Sequence, residues 1–206
     1  MSTILVVTAS PRGDRSVSRA LTSAFAEFWS ERHPDDRIFL RDIGHHPVPH
    51  VSEPWVIGAF AAPDEQTPES QGAIAVSDSL VEEFLSADRY VFGVPMYNFN
   101  VPSTFKAYID QLVRAGKTFG VGPAGYEGLV KNKKALFITT SGGSYAPGGP
   151  GAALNFQEPY LRTIFGFMGV TDVQFVTADN LNQGEAVARQ SRERAERALK
   201  ELAAWW

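Results

Sequence analysis

Three loops carry the residues whose types and spacing could bind a ligand. The first loop, Ser10–Arg19, reads SPRGDRSVSR and leads from an apolar run into a helical pattern. Hydroxyl side chains and free backbone amides at the start of a helix attract anions, and the helix dipole adds to the attraction. The loop lacks the glycine spacing of a dinucleotide fingerprint or of an NTPase phosphate loop, so it predicts a site for a single terminal phosphate. The alternative is that Ser16 or Ser18 only caps the helix.

The second loop, Pro95–Ser103, reads PMYNFNVPS. Its aromatic residues, methionine and asparagines lie between two prolines and predict a rigid apolar wall with few hydrogen-bonding groups. Such a wall suits a flat heteroaromatic ring. Tyr97 and Phe99 could instead pack locally, with the asparagines supporting turns.

The third loop, Thr140–Gly151, reads TSGGSYAPGGPG. Paired glycines allow the backbone to approach a ligand closely and to direct its amides at carbonyl oxygens. Glycine-rich turns are common in proteins, so this loop taken alone is a weak signal.

The elements that position these loops alternate between strand and helix patterns, as parallel strands joined by crossover helices do. The predicted strands are Ile4–Ala9, Arg37–Asp42, Arg89–Val94, Ala135–Thr140 and Asp172–Ala178. The predicted helices are Val17–Arg32, Glu69–Leu85, Ser103–Arg114, Ala153–Phe167 and Glu185 to the C-terminus. Each loop follows a predicted strand, and ligands of open parallel sheets bind beyond the carboxyl ends of the strands.

The amino-acid composition limits the classes of function that the chain can have. Hydrophobic residues make up 44% of the chain and include 14 phenylalanines, so we expect residues 1–206 to form a single domain with a large core. The net charge of -4 makes nucleic acid a poor candidate partner. The absence of cysteine excludes disulfides, thiolate metal sites and cysteine nucleophiles. The first residues lack a basic n-region and enough apolar residues for a membrane span, so we expect a cytoplasmic protein that does not enter a membrane.

Two segments are longer than a compact α/β unit needs, Gly44–Pro68 and Gly116–Lys131. Such segments tend to be functional or to cover a site. His45, His46 and His50 in the first segment suggest a metal site. Its prolines prevent helical ligand spacing and no carboxylate is properly spaced, so we expect no metal and a solvated or interface loop instead.

Together the three loops closely resemble those of the FMN-dependent NADH-azoreductase family, which belongs to the flavodoxin-like NAD(P)H:quinone oxidoreductases. The resemblance spans nearly the whole chain and includes RAGKTF at Arg114–Phe119, YEGL at Tyr126–Leu129 and GFMGV at Gly166–Val170. It implies a flavodoxin-like α/β fold in which helices cover both faces of a five-stranded parallel sheet of order 2-1-3-4-5.

The resemblance also implies an activity. Hydride would pass from NADH, or NADPH, through tightly bound FMN to quinones and azo compounds in a ping-pong sequence. The cofactor carries this chemistry, so no catalytic residue is expected from the protein. Quinone or azo compounds as small-molecule substrates, and a homodimer with FMN sites at the subunit interface, are implied in the same way.

By this resemblance, residues of all three loops hold FMN. They are Ser10, Ser16, Val17 and Ser18 at the phosphate, Pro95, Met96, Tyr97, Asn98 and Phe99 along the ring and ribityl chain, and Thr140, Ser141, Gly142 and Gly143 at the far edge of the ring. Many family members have arginine where this chain has Ser141, so a cationic contact is lost there while the backbone amides remain. The candidate aromatic walls of the substrate pocket are Phe119, Tyr126, Tyr145 and Phe156.

Two other functions compete with this one. A flavodoxin-type electron carrier would bind FMN without a substrate pocket, but such carriers are usually shorter and strongly acidic. This chain instead has two extra segments, a modest charge and aromatic-rich loops that could enclose a substrate. An NAD-dependent Rossmann dehydrogenase is disfavoured because no glycine fingerprint follows the first predicted strand.

Overall fold

The computed structural model describes the backbone of residues 1–206 and the side chains of all of them except Pro63. The strands are β1 (Thr3–Thr8), β2 (Arg37–Asp42), β3 (Arg89–Pro95), β4 (Phe119–Gly122), β5 (Gly125–Gly128), β6 (Lys134–Thr140) and β7 (Asp172–Ala178). The helices are α1 (Val17–Arg32), α2 (Glu53–Phe60), α3 (Pro68–Ser86), α4 (Ser103–Leu112), α5 (Gln157–Met168) and α6 (Glu185–Leu202).

Five of the strands form one parallel sheet in the order β2-β1-β3-β6-β7, and β4 and β5 form a separate antiparallel hairpin. Counted over the main sheet alone, this is the predicted order 2-1-3-4-5. Strand β1 pairs with β2 on one side and with β3 on the other, so the direction of chain progression reverses there. This reversal is the switch point at which open parallel sheets bind ligands.

Helices cover both faces of the sheet, as predicted. Helices α3, α4 and α5 pack on one face, and α1 and α6 pack on the other. Successive strand side chains point to opposite faces, so each inner strand contributes to both cores. Inner-strand residues of the first core are Leu5, Val7, Tyr90, Phe92, Val94, Ala135 and Phe137. Those of the second are Ile4, Val6, Val91, Leu136 and Ile138.

The structure departs from the predicted elements mainly in the two long segments. The first contains α2, which begins after Ser52, whose Oγ accepts a hydrogen bond from Trp55 N at 3.4 Å. The second contains the β4–β5 hairpin. Each element is too short for its periodicity to stand out in the sequence, because a strand of four residues or a helix of two turns repeats its pattern only once or twice.

Helix ends differ where turns replace the expected helix. Helix α5 begins at Gln157 instead of Ala153, because Ala152–Leu154 forms a 3-10 turn before it. Helix α4 ends at Leu112, two residues before the predicted end. There the backbone turns, and Arg114 N donates to Thr118 Oγ1 at 2.9 Å.

Candidate functional site

The loops after β1, β3 and β6 meet at the carboxyl edge of the sheet and line one cleft. Its wall includes most of the residues predicted to hold a cofactor, namely Ser10, Ser16, Val17, Pro95, Met96, Tyr97, Thr140, Ser141 and Gly142. Among the described residues that line the cleft, four of the predicted ones are missing, namely Ser18, Asn98, Phe99 and Gly143. Arg12, Leu181 and Asn182 also line the cleft and were not predicted.

The first loop places hydroxyl groups at the N-terminus of α1. Ser16 caps the helix, because its Oγ accepts a hydrogen bond from Arg19 N at 3.3 Å. Ser16 Oγ also lies 3.2 Å from Ser18 Oγ, and both side chains are buried. The amides at the start of an α-helix have no carbonyl one turn earlier to accept their hydrogen bonds, so those of Val17 and Ser18 can serve an anion. Capping and anion binding are therefore compatible roles for Ser16.

An ion pair holds the first loop against the end of β2. Two nitrogens of Arg19 donate to the Asp42 carboxylate at 2.8 and 2.9 Å. Arg19 Nη2 also donates to the Ser10 carbonyl at 2.7 Å. Partial burial acts to raise the pKa of Asp42, but hydrogen bonds from Arg19 and His45 outweigh it and hold that pKa well below its usual range. Asp42 therefore remains a carboxylate at neutral pH.

The second loop contains a tight turn with a strained backbone. Tyr97 N donates to Asn100 O at 2.8 Å and Asn100 N donates to Tyr97 O at 3.0 Å. Between them, Asn98 and Phe99 have φ of 48° and 68°, the left-handed region that side chains with a Cβ rarely adopt. Strain of this kind clusters at ligand-binding sites. Tyr97 and Phe99 stay 37% and 39% exposed, so neither ring is buried in the core.

The third loop is bonded to both of its neighbours. Met96 N of the second loop donates to Thr140 O at 2.7 Å. Leu181 N donates to Ser141 O at 3.1 Å, and Asn182 N donates to Gly142 O at 3.0 Å. The segment after β7 thus completes the cleft. Since it also follows the carboxyl end of a strand, the rule that identified the other loops could have found it.

Gln157, the first residue of α5, was not predicted as a site residue. Its side chain is 3% exposed, and Nε2 donates to the carbonyls of Val94 at 3.3 Å and Pro95 at 3.1 Å. These carbonyls end β3 directly before Met96. Gln157 therefore fixes the start of the second loop from an element more than 60 residues away along the chain.

Two of the predicted pocket aromatics lie beside the second loop. The Tyr145 ring centroid is 5.8 Å from that of Phe99 in an edge-on arrangement. Phe156 N donates to the Phe99 carbonyl at 3.1 Å, and the Phe156 side chain is 56% exposed. The structure thus groups Tyr145 and Phe156 with the turn that borders the cleft.

The other two predicted aromatics lie elsewhere in the chain. Phe119 and Tyr126 of the hairpin pack on Phe167, with ring centroids 4.8 and 5.5 Å apart from it. Phe167 is near the end of α5, whereas Phe156 immediately precedes its start. At 1.5 Å per residue the two ends of this helix are roughly 16 Å apart. The four aromatics therefore do not form one pocket within a single chain.

In the histidine-rich segment Gly44–Pro68, one histidine pairs with a carboxylate at the end of β2. His45 Nδ1 lies 2.8 Å from Asp42 Oδ2. Among the described residues, no group of three or more His, Asp and Glu residues is placed to hold a metal ion.

The described helices include none that is long and apolar enough to cross a membrane.

Comparison with known proteins identifies the family. The chain matches the flavodoxin-like fold family over residues 2–202. It is 56% identical to FMN-dependent NADH:quinone oxidoreductase 2 of Trichormus variabilis over 207 residues, with 100% of each chain covered. The chain belongs to the flavodoxin-like FMN-dependent NADH:quinone oxidoreductases.

Solved structures similar to this chain include azoreductases. Azoreductase AzrA superposes with a TM-score of 0.93 at 33% identity, with 100% of both chains covered. An FMN-dependent NADH-azoreductase of Bacillus anthracis, solved in complex with FMN, superposes with a TM-score of 0.88 at 28% identity, covering 98% of this chain and 100% of the other. The resemblance inferred from the loop motifs is confirmed.

Proposed function

We propose that the protein is an FMN-dependent oxidoreductase that uses NADH to reduce quinones and azo compounds. The observation that carries the proposal is the cleft at the switch point of the sheet, where loops after β1, β3 and β6 converge. Its two ends differ in chemistry as FMN requires, because one end has hydroxyls at a helix N-terminus and the other has an apolar, aromatic wall. The chain is 56% identical over its full length to a relative that is named for this activity, which supports the assignment.

The phosphate of FMN fits the end of the cleft formed by the first loop. Ser10 and Ser16 would contribute hydroxyl groups there, and Val17 and Ser18 would contribute the first amides of α1. Ser18 would act through its backbone, since its side chain lies against Ser16 and is buried. Arg12 lines the same end of the cleft and adds positive charge.

The isoalloxazine ring and ribityl chain fit between the second and third loops. Pro95, Met96 and Tyr97 would line the ring and chain on one side, next to the turn at Asn98 and Phe99. Thr140, Ser141 and Gly142 would line the far edge, where Gly142 and the adjacent Gly143 would direct their backbone amides at the ring. FMN, when bound, supplies the redox chemistry by accepting a hydride from NADH and delivering two electrons to the acceptor. The protein's residues bind, orient and shield the ring, and we assign no side chain as a catalytic acid, base or nucleophile.

We propose that Tyr145 and Phe156 form an aromatic wall for flat acceptors beside the ring. Both border the Phe99 turn, and Phe156 is exposed enough to contact a ligand. An apolar aromatic surface accepts planar quinones and azo compounds without requiring one arrangement of polar groups.

We propose that Phe119 and Tyr126 complete this pocket in a homodimer, from the partner subunit. The hairpin exposes large apolar side chains, with Val121 at 78% and Tyr126 at 74% exposure. Exposed apolar patches of this kind mark interaction surfaces. A hairpin donated by a second copy would bring these aromatics to a cleft that they cannot reach within their own chain.

Residues 1–206 are proposed to act as one FMN-binding domain, since a single main sheet contributes every loop of the cleft. A cytoplasmic location is proposed with it, because the electron donor NADH is a cytoplasmic metabolite.

The main rival remains a flavodoxin-type electron carrier, which shares the fold and the cofactor. The aromatic residues grouped at Phe99 favour the enzyme, since a carrier that passes electrons to protein partners needs no wall for a small acceptor. The relatives named above are oxidoreductases, which supports the same choice.

Anaerobic stopped-flow spectroscopy of the FMN-loaded protein tests the proposal. NADH should bleach the flavin absorbance, and a benzoquinone or an azo dye added next should restore it rapidly. If neither NADH nor NADPH bleaches the bound flavin, the enzyme assignment fails and the carrier becomes the better account.

A further inference from the structure

We infer that Arg19 is a positioning residue for the FMN phosphate, although it stands outside the described wall of the cleft. Its guanidinium holds the backbone of the first loop in the shape that the phosphate requires. This inference rests on the proposed function, because it concerns how the proposed cofactor is bound.

The placement of Arg19 carries two costs in free energy. It is the third residue of α1, where the helix dipole disfavours a positive charge. Its side chain is only 19% exposed, so its charge is also partly removed from water. The two-pronged contact with Asp42 offsets both costs, since paired charge-assisted hydrogen bonds are among the strongest in proteins.

A further contact of Arg19 reaches the loop itself. Nη2 donates to the Ser10 carbonyl at 2.7 Å, directly after β1. Gly44 packs closely against the same carbonyl, since an added Cβ at Gly44 would lie 2.2 Å from the Ser10 oxygen. Gly44 N in turn donates to Asp42 Oδ1 at 3.0 Å. The Ser10 peptide is thus contacted by both the guanidinium and the backbone that follows β2.

This network acts on one end of the cleft only. It contacts the first loop, whereas the second and third loops are held by separate bonds, from Gln157 to Pro95 and from Met96 to Thr140. Loss of Arg19 should therefore weaken binding of the phosphate and leave binding of the ring and ribityl chain unchanged. Riboflavin, which is FMN without the phosphate, separates these two contributions.

The test is fluorescence titration of the flavin-free full-length protein with FMN and with riboflavin. Arg19→Met should raise the Kd for FMN by about tenfold or more, the loss expected for a charge-assisted hydrogen bond, while the Kd for riboflavin changes by less than about twofold. Arg15→Met is the matched control, because it removes the same charge from an exposed side chain of the same loop. It should change the Kd for FMN by no more than about twofold, since exposed charges are screened.

Asp42→Asn separates positioning from simple attraction. Removing a negative charge near the site should tighten FMN binding if only net charge matters, whereas loss of the anchor for Arg19 should weaken it. Equal effects of Arg19→Met and Arg15→Met, or tighter FMN binding by Asp42→Asn, would overturn the inference.

Failure of a variant to fold and failure of the proposed function can be told apart from failure of the inference. If Arg19→Met does not fold by circular dichroism, Arg19→Lys, which keeps the charge but not the planar two-pronged contact, should still bind FMN more weakly relative to riboflavin. An unchanged ratio in that variant would also overturn the inference. If the unaltered protein binds no FMN, the proposed function itself fails.

Discussion

The side-chain amide of Asn182 occupies the space that a Cβ at position 142 would need. Its Nδ2 lies 2.4 Å from where that Cβ would be, so the third loop accepts only glycine at Gly142 while Asn182 keeps its position. We expect Gly142→Ala to displace the Asn182 side chain, which lines the cleft, and to weaken FMN binding by about fivefold or more, as overpacking by even one carbon commonly costs at least 1 kcal/mol.

A double substitution tests whether this contact is the cause. In Gly142→Ala with Asn182→Ala the clash is removed, so the Kd for FMN should return close to that of Asn182→Ala alone. Residues in contact show such non-additivity. If the double variant binds FMN as weakly as Gly142→Ala does, the strain lies elsewhere in the loop.

Gln157 should set the conformation of the second loop. In Gln157→Met the carbonyls of Val94 and Pro95 lose their shared donor, and we expect weaker FMN binding and a shifted absorption spectrum of the bound flavin. Gln111→Met is the matched control, since Gln111 is also buried and donates to a backbone carbonyl, that of Pro49, outside the cleft. It should lower stability without shifting the flavin spectrum, and a similar spectral shift in both variants would contradict the role of Gln157.

The C-terminal residue should stabilise the core beneath α1. Trp206 is 1% exposed and packs edge-on against Phe25 and Trp29 at 5.8 and 5.9 Å. Arg89 lies 5.5 Å from its ring centroid. We expect Trp206→Ala to lower the free energy of unfolding by about 3–5 kcal/mol in denaturant titrations. Trp205, which is 66% exposed, is the control, and Trp205→Ala should stay within about 0.5 kcal/mol of the unaltered protein.

Asp42 should stabilise the folded protein at neutral pH and lose this effect at acid pH. Its pKa is lowered in the folded state, so its contribution is fully present above the unfolded pKa of about 3.9 and is lost as the pH falls toward the folded pKa. In Asp42→Asn this contribution is absent. As the pH is lowered below about pH 4, the free energy of unfolding of this variant should therefore fall less steeply than that of the unaltered protein. Parallel pH profiles for the two proteins would contradict the lowered pKa.

The hairpin should carry the proposed dimer contact. Val121→Asp places a charge in the exposed apolar patch and should convert a dimer to a monomer, as measured by light scattering during gel filtration. Leu40→Asp is the control, because Leu40 is similarly exposed, at 77%, but lies on the edge strand β2. Dissociation by Leu40→Asp and not by Val121→Asp would place the interface on the edge of the sheet.

The amino-acid sequence by itself determined the five strands of the main sheet and most of the helices. The edge strands β2 and β7 are partly exposed, whereas the three inner strands are buried on both faces, so that each inner strand is a nearly continuous apolar run. Their predicted ends lie within one residue of those observed, and α1 agrees at both ends. Because ligands of such sheets bind at the carboxyl edge, strand positions together with the residue types of the loops were enough to select the first, second and third loops.

Only the tertiary structure decided which other residues reach the site. Gln157 lies 62 residues from Pro95 along the chain, and no local pattern indicates that the two are bonded. The clash between Asn182 and a Cβ at Gly142 depends in the same way on how two loops pack together. Phe119 and Tyr126 resembled pocket residues in sequence, yet the hairpin packs them on Phe167. Strand patterns are visible in sequence because they arise from local periodicity, whereas these contacts arise only when distant segments pack against each other.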